Sequence, residues 1–301
     1  SERLTPAQRY STDYESPLSI DGSIYAIKRG PSEPPCLIRI SPEGMEQRLA
    51  AYPSTASSLY YDENLGRLYW SENVPDPRWS LGGTSRICYY DIKQGKTREL
   101  TRSGRLFNPH PSADGRTVVA AEYPVTGGSS LVVISAEDGT VLRRTPAPAG
   151  VQLTEIVWLG DEMFAIALSD GGYGILDAST MDCALPFSVQ KVVNLRTAGE
   201  GLLEFVSDRT GKNELYTFNP ATGEVFQETS FRFGATDFAA SGAETLCVIQ
   251  ETDGKAIHRL GSSSLLHRPV SFTDVHSYPV EDALSRQEEE LSRPREALPT
   301  E

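Results

Sequence analysis

The sequence predicts an all-β fold, a six-bladed β-propeller built from four-stranded antiparallel blades. A pattern of apolar strand, polar loop, alternating strand and Gly turn recurs along the chain. It is clearest in Phe205–Val225 and weaker in Val118–Val141 and Leu68–Arg98. The repeat is about 40 to 50 residues long and contains only strands, which is typical of propeller blades. The many Tyr, Val, Ile and Thr residues also favour pleated sheets over helices.

Six units can be aligned on the turn between their first two strands. This turn reads SIDGS at Ser19–Ser23, YDENLGR at Tyr61–Arg67 and SADGR at Ser112–Arg116. Asp-Gly and Gly-rich turns supply the positive φ values that tight hairpins require. We place the units at residues 14–52, 54–104, 105–150, 151–190, 191–234 and 235–272, within one domain over residues 1–275.

The N-terminal residues Ser1–Thr5 match the ends of later units, such as Thr97–Thr101 and Leu142–Thr145. They are therefore expected to form an outermost blade strand. This strand either completes the sixth blade and closes the ring, or belongs to a preceding repeat. We expect closure, because it removes two exposed sheet edges.

Residues 276–301 differ from the repeats because they are charged and interrupted by proline. A solvated linker is expected here. The alternative is a short helix over Ser285–Ser292, with Ser285 and Glu288 at capping-box spacing and Pro294 ending it.

Composition excludes some classes of partner. The chain of 301 residues carries 41 Asp and Glu against 28 Lys and Arg, a net charge of −13. No segment concentrates positive charge, so nucleic acid is not an expected partner. No segment approaches the roughly 18 consecutive apolar residues of a membrane span, so this segment is not expected to insert into a membrane.

The four cysteines are expected to be free. They lie far apart, with no CxxC pair. Counted back from the turn glycines Gly44 and Gly95, Cys36 and Cys88 differ by one residue, so they are expected to face opposite sides of the pleat. A disulfide between them is therefore not expected, and cysteine is commonly a small buried hydrophobe.

The repeat resembles the TolB-type propeller repeat. RLT-like strand ends are followed by Pro shortly before S-x-D-G and then by SDR-x-G-x-x-x-LY. The matching residues are Pro17–Gly22, Pro109–Gly115, Ser207–Gly211 and Leu215–Tyr216. The resemblance covers about residues 1–272 and is faint in units 4 and 6. It implies a six-bladed ring that binds proteins in the periplasm or cell envelope of a Gram-negative bacterium.

Similar repeats also form the propellers of prolyl-oligopeptidase-type serine peptidases, so the motif specifies the fold more than the function. The function expected here is a non-enzymatic protein-interaction module, monomeric as a domain and part of a longer envelope protein. The alternative is the substrate-gating propeller of such a peptidase. A small-molecule or sugar-binding propeller is a third hypothesis.

No catalytic motif is apparent. The sequence has no G-x-S-x-G elbow, no HExxH and no phosphate-binding Gly-Lys-Ser/Thr loop. A metal-dependent lyase on a propeller would need several imidazoles converging near the axis. Of His110, His258, His267 and His276, only His110 lies on a predicted innermost strand, so neither a catalytic metal nor another cofactor is expected.

One polar constellation emerges when the units are aligned at the start of the innermost strand, around one mouth of the central channel. The aligned residues are Glu15, Ser57 or Ser58, Asn108, Glu155, Asn194 and Asp237. We expect them to stabilise the initial bend of each unit, as Asx-type residues do. Alternatively, the oxygen-rich ring accepts a basic side chain of a partner or a hard cation such as Ca²⁺.

The longest inter-strand loop, Asn73–Ser85, is the second candidate site. Loops on rigid scaffolds commonly bind partners, and Arg and Trp are enriched at interface hot spots. Arg78 and Trp79 lie at its centre. We expect Trp79 to fold back over a hydrophobic blade edge, with partner recognition as the alternative.

Overall fold

The computed structural model describes residues 1–53, 56–79, 82–102, 104–199, 201–241, 244–272 and 279–292. Within them the strands form six antiparallel sheets arranged as the blades of a propeller, which confirms the predicted fold class. Five sheets have four strands and one has five. The blades are numbered I to VI from the first complete one.

The strand bounds follow blade by blade. Blade I consists of β2 (Asp13–Ile20), β3 (Ser23–Gly30), β4 (Glu33–Ile40) and β5 (Glu46–Ala51), and blade II of β6 (Tyr60–Asp62), β7 (Arg67–Val74), β8 (Thr84–Asp91) and β9 (Lys96–Glu99). Blade III consists of β10 (Leu106–Pro111), β11 (Thr117–Glu122), β12 (Ser130–Ser135) and β13 (Val141–Pro146), and blade IV of β14 (Gln152–Leu159), β15 (Glu162–Ser169), β16 (Gly172–Asp177) and β17 (Cys183–Ser188). Blade V consists of β18 (Val192–Thr197), β19 (Leu203–Ser207), β20 (Glu214–Asn219), β21 (Glu224–Gln227) and β25 (Arg268–Val270), and blade VI of β22 (Ala235–Ser241), β23 (Glu244–Glu251), β24 (Gly254–Gly261) and β1 (Glu2–Arg3). A 3-10 turn spans Ser262–Ser264, and helix α1 spans Pro279–Ser292.

The core is divided among the junctions between blades. Each of the six junctions has its own cluster of buried apolar side chains. The middle strands are buried on both faces, so they read as continuous apolar runs such as Leu131–Ile134. Tight turns join the strands: Asp21 and Gly22 have φ of 48° and 75° in the two-residue turn between β2 and β3. Both values are positive, as this hairpin turn requires.

The N-terminal strand closes the ring, as predicted. In β1, Glu2 pairs with Arg259 and Arg3 with His258 of β24. The Leu4 amide then donates to the Ile257 carbonyl at 2.8 Å. Blade VI therefore takes its outermost strand from the start of the chain.

Two segments near the C-terminus differ from expectation. Arg268–Val270 lies in the sixth predicted unit but pairs with β21 at the outer edge of blade V. Residues Pro279–Ser292 form helix α1, so this part of the tail takes the helical alternative to the linker. Since α1 begins at Pro279, Ser285 lies inside the helix and is not its N-cap. Pro294 is outside the described residues.

The antiparallel alternation gives the ring two distinct faces. The innermost strands β2, β6, β10, β14, β18 and β22 all begin at one face, which we call the mouth face. Loops between blades, and loops from second to third strands, also lie at the mouth face. The opposite turn face has the turns from first to second strands and from third to fourth strands.

The four cysteines are free, with Cys183 exposed and the others buried. Cys36 packs between blades VI and I, and Cys88 packs between blades I and II. Both thiols therefore face the preceding blade, so the expected opposite orientation was wrong. The turn after β4 spans five residues and the turn after β8 spans four, so Gly44 and Gly95 are not equivalent positions.

Candidate functional site

The mouth of the channel is shaped by bulges in the innermost strands. Alternate blades place a non-glycine residue at positive φ there: Ser16 at 49° in blade I, Asn108 at 52° in blade III and Asn194 at 56° in blade V. Such a conformation is costly for a residue with a Cβ, and Asn tolerates it best. Each of the three bulges turns a backbone N–H toward the preceding blade.

A side-chain oxygen of the preceding blade accepts from each of these amides. Ser71 Oγ accepts from Asn108 N at 3.1 Å, and Asp237 Oδ2 accepts from Ser16 N at 2.9 Å. Glu155 accepts twice, from Asn194 N at 3.1 Å and Leu195 N at 2.8 Å. These contacts join blade II to III, IV to V and VI to I.

The two asparagines extend the connection to the following blade. Asn108 Nδ2 donates to the Thr154 carbonyl at 2.8 Å, and Asn194 Nδ2 donates to the Thr236 carbonyl at 2.9 Å. We call these hydrogen bonds the inter-blade belt. Asn108, Glu155, Asn194 and Asp237, predicted from alignment alone, all belong to it.

Glu15 and Ser57 lie elsewhere. The first turn of blade I has only two residues, so counting from its glycine selects Glu15 where the equivalent of Asn108 is Ser16. The Glu15 carboxylate instead pairs with Arg29 at 2.9 Å and Lys255 at 3.1 Å. In blade II, Ser57 Oγ accepts from Ser71 N at 2.9 Å within its own blade, and the acceptor toward blade III is Ser71.

Arg196 lies in the channel beyond the belt. The sequence did not indicate it, because it is two residues past the aligned position Asn194. Its guanidinium reaches from blade V across to blade II, where Nη1 donates to the Leu59 carbonyl at 3.4 Å. Nη2 lies 3.5 Å from Asp237 Oδ1 of blade VI, with the Arg196 side chain 13% and that of Asp237 9% exposed. The guanidinium is also 5.7 Å from the Tyr60 ring centroid. A cation of the chain itself therefore occupies the acidic mouth.

Tyr60 and His110 complete this layer. Their rings meet edge to face at 5.3 Å, and the His110 Nδ1 accepts from Trp158 N at 3.4 Å. Burial lowers the pKa of His110 to about 3, and the nearby Arg196 acts in the same direction. A cavity of about 160 Å³ remains, lined by Leu18, Tyr60, Tyr61, His110, Arg196, Thr197, Ala239 and Ala240. Ligand pockets for small molecules are usually about 300–1,000 Å³.

Two carboxyl groups near Arg196, those of Glu155 and Glu204, have raised pKa values. Burial raises the pKa of Glu155, although the amides of Leu195 and Asn194 and the Arg196 charge oppose this shift. Glu204 on β19 lies directly opposite Arg196 of β18 in the antiparallel register, and it is only 7% exposed. Burial raises the pKa of Glu204 to about 7, with the opposing charge of Arg196 and a smaller contribution from the Glu228 charge, which also raises it, included in that value.

Arg196 also changes what the mouth can bind. Within the described residues, no group of three His, Cys, Asp or Glu side chains is placed to hold a metal ion. Calcium binding, the alternative raised for the polar ring, would place a second positive charge at the mouth, where the Arg196 guanidinium would repel it. With Arg196 in place we expect millimolar Ca²⁺ to leave the melting temperature unchanged. A rise that is lost in Glu155→Gln would contradict this.

The loop after β7 exposes its aromatic side chain. Trp79 is 71% exposed, so the expectation that it packs over a blade edge was wrong. The backbone amides of Arg78 and Trp79 donate to Asp76 Oδ1 at 2.7 and 2.9 Å, an Asx-type turn that directs the indole outward. Ser80 and Leu81 lie outside the described residues. This loop is on the mouth face.

Comparison with known proteins shows the fold and no more. No protein-family model and no curated protein matches the sequence. TolB from Acinetobacter baumannii is 14% identical with a TM-score of 0.53, over 81% of this chain and 65% of that one. The β-propeller domain of the Trilobed protease from Pyrococcus furiosus, described as having an open velcro topology, is 9% identical with a TM-score of 0.55, over 89% of this chain and 99% of that one.

A puromycin-hydrolysing peptidase from Mycobacterium tuberculosis is 13% identical with a TM-score of 0.58. The match covers 91% of this chain and 57% of the peptidase, so the chain spans a little over half of that enzyme's length. The propeller fold is thus similar to that of TolB and of peptidase propeller domains, as the resemblance of the repeats implied. In the part of the chain that the structure describes, no helix is long and apolar enough to span a membrane.

Proposed function

We propose, from a fold shared with TolB and with peptidase propellers, that this propeller is a non-enzymatic protein-interaction domain. The principal supporting observation is the outward-directed Arg78–Trp79 loop on a closed, rigid ring. Exposed Trp and Arg on a fixed scaffold are the side chains that most often dominate protein interfaces. The Arg196 side chain leaves only about 160 Å³ beside it in the channel, which favours the surface over the channel as the binding site.

The histidines support the same proposal. Among the described residues, His110 hydrogen-bonds a backbone amide, and His258 and His267 lie beside Glu251 and Glu228. None of these three contacts is with a serine or cysteine side chain, as nucleophilic catalysis would need. His276 is outside the described residues. The proposal includes a periplasmic or envelope setting in a Gram-negative bacterium and a monomeric domain, and both rest on the likeness to TolB.

Photo-crosslinking tests the proposal. A photoreactive phenylalanine analogue replaces Trp79 at the mouth face, or Met45 at the turn face as a matched exposed control. We expect a discrete adduct from position 79 in the source cells and none from position 45. The captured protein, purified separately, is then expected to bind the unmodified propeller and to lose affinity with Trp79→Ala. Absence of adducts from both positions would contradict a protein-interaction role.

A substrate-gating propeller of a serine peptidase is the second candidate, because the chain aligns with the β-propeller domain of the Trilobed protease and with a little over half of the puromycin-hydrolysing peptidase. The complete coding region distinguishes the two. A downstream G-x-S-x-G motif with Asp and His, together with peptide hydrolysis by the full-length product, would replace the first proposal with the second.

A further inference from the structure

Exposed apolar side chains in the loops are concentrated on the mouth face. Tyr10, Trp79, Val125, Val189 and Phe233 are 55–86% exposed, and each lies in a loop between blades or between second and third strands. Among the described turns of the opposite face, Met45 is the large apolar side chain with comparable exposure. Exposed apolar side chains gathered on one face are typical of interaction surfaces.

Three of these exposed side chains, Tyr10, Trp79 and Phe233, are aromatic and directly follow an arginine in the sequence. Arg9–Tyr10, Arg78–Trp79 and Arg232–Phe233 are the Arg-aromatic pairs of the sequence, and all three lie on the mouth face. All six side chains are exposed. The guanidinium of Arg9 is 5.4 Å from the Tyr10 ring centroid, and that of Arg232 is 5.1 Å from the Phe233 centroid. Within the described residues these arginines form no ion pair, so their charge is available to a partner.

The two faces carry opposite charge. Exposed charged residues in the described loops of the mouth face are Arg9, Arg78, Arg102 and Arg232 against Asp170. In the described turns of the opposite face, the exposed basic residues are Lys93 and Arg116. The exposed acidic residues there are Asp21, Glu43, Glu63, Asp114, Glu137, Asp138, Asp161 and Asp182. In a chain of net charge −13, the exposed charged side chains of the mouth-face loops are thus mostly basic and those of the opposite turns mostly acidic, so an anionic partner is attracted more to the mouth-face loops.

A groove beside one of the pairs could accept an apolar anchor. It has a volume of about 520 Å³ and lies between the loop after β21 and the end of β23. Phe231, Arg232 and Phe233 line one side. The other lining residues are Ser1, Ile249, Gln250, Glu251, Thr252 and His258. Its lining combines two phenylalanine rings with the Arg232 guanidinium, and the Glu251 carboxylate in it lies 3.1 Å from His258 Nε2.

We propose that the mouth face binds an acidic protein segment with interspersed apolar side chains, through the three Arg-aromatic pairs. Arg guanidinium groups bind carboxylates bidentately, and the adjacent rings cover apolar side chains. This proposal rests on the proposed interaction function and names the face and the chemistry of the partner. Anionic lipid could also pair with these arginines. However, the arginines are few and lie in separate loops of a chain with net negative charge, so a protein segment is the favoured partner over a membrane surface.

The test uses a synthetic peptide rich in Asp and Glu with interspersed Phe and Leu, and measures its affinity by fluorescence anisotropy. The first control peptide has Lys at the acidic positions, and the second has Ser at the apolar positions. The charge variant is Arg9→Gln with Arg78→Gln and Arg232→Gln, and the ring variant is Tyr10→Ser with Trp79→Ser and Phe233→Ser. The turn-face control is Lys93→Gln with Arg116→Gln and Met45→Ser.

We expect both mouth-face variants to weaken binding of the acidic peptide at least tenfold, and the turn-face control to leave it unchanged. Salt is expected to weaken wild-type binding, and this salt dependence is expected to be smaller in the charge variant than in the ring variant.

The proposal would be overturned if the Lys or Ser peptide bound as tightly as the acidic peptide, if the turn-face control lost as much affinity as the mouth-face variants, or if no binding occurred. If a larger fraction of the protein co-sediments with phosphatidylserine vesicles than with phosphatidylcholine vesicles, the proposal would be overturned in favour of a lipid surface. If cross-linking from other loops finds a partner while these variants have no effect, the interaction function stands and this inference fails.

Discussion

Arg196 is the residue on which the centre of the propeller depends. Its guanidinium lies in a layer with Asp237, Tyr60 and His110. Glu155 and Glu204 lie close enough for the Arg196 charge to oppose the rise in their pKa values. Buried ion pairs add little net stability compared with apolar packing, but losing one partner leaves an uncompensated charge. The importance of Arg196 thus follows from its neighbours.

Replacing Arg196 with Met is expected to lower the free energy of unfolding by about 3–5 kcal/mol, because Asp237 would lose its counter-charge in a buried site. Urea unfolding at neutral pH measures the loss. The double variant R196M with Asp237→Asn is expected to recover part of it, since the unpaired carboxylate is gone. Arg9→Met, at an exposed position, is the matched control. A loss in R196M no larger than in this control would show that the pair is unimportant.

Glu204 is expected to make stability depend on pH. Its pKa is about 7 in the fold against an ordinary value of 4.5, so the folded state binds the proton more tightly than the unfolded state. Stability from this group is full below pH 4.5 and falls as pH rises toward 7, by roughly 3 kcal/mol at most. Glu204→Gln should therefore gain stability relative to wild type across that window.

The difference in unfolding free energy between E204Q and wild type, followed from pH 4.5 to 8, isolates this effect. His110 has the opposite dependence: its pKa of about 3 means that stability is lost as pH falls below 6.5, but this contribution is the same in both proteins. A difference that stays constant with pH would show that Glu204 does not titrate in this range.

The inter-blade belt is the principal feature at the scale of single elements. Bulges in β2, β10 and β18 alternate with acceptors on blades VI, II and IV, so the six blades are joined in three similar pairs. The sequence indicated Asn108 and Asn194 because both precede their turn glycine by the same distance. It missed Ser16 because one shorter turn shifts the count by one residue, and such shifts cannot be seen without the pairing register.

Asn194 tests the belt. Asn194→Gly keeps the positive φ without strain but loses the hydrogen bond from the side-chain amide to the Thr236 carbonyl, at a cost of about 1 kcal/mol. Asn194→Ala loses the same bond and adds the penalty of positive φ, at a further cost of about 1 kcal/mol. Thermal unfolding is expected to rank wild type above Gly and Gly above Ala, and the same series at Asn108 should agree. Equal stability of the Gly and Ala variants would contradict the role of positive φ.

For the whole molecule, the fold was predictable and the site only in part. Recurring turns and strands specify a propeller because each unit encodes its own hairpins locally, as at Asp21–Gly22. Arg196 and the three Arg-aromatic pairs depend on which blades become neighbours and which loops share a face, and a single repeat does not contain that information. The recurring Arg-aromatic dipeptide was visible in the sequence, but its meaning required the loops to be assigned to one face.

Ring closure by β1 gives the last prediction. Deleting residues 1–5 removes the pairing with β24, including the Leu4–Ile257 hydrogen bond, and the Arg3–Asp253 contact at 2.8 Å. It also exposes β24 as a sheet edge, which is prone to pair with another chain. We expect a loss of a few kcal/mol, at about 1 kcal/mol per hydrogen bond, and hence a melting temperature lower by roughly 5–10 °C, together with concentration-dependent association in size-exclusion chromatography.

The variant Arg3→Ala separates the side-chain contact from the strand, and its effect on melting is expected to be much smaller than that of the deletion. Adding a synthetic peptide of residues 1–8 to the deleted protein is expected to raise the melting temperature again, because the peptide can pair with the free edge of β24. If the deleted protein melts like wild type and stays monomeric, then the ring is stable without closure, and β1 is needed neither for stability nor to cover the β24 edge.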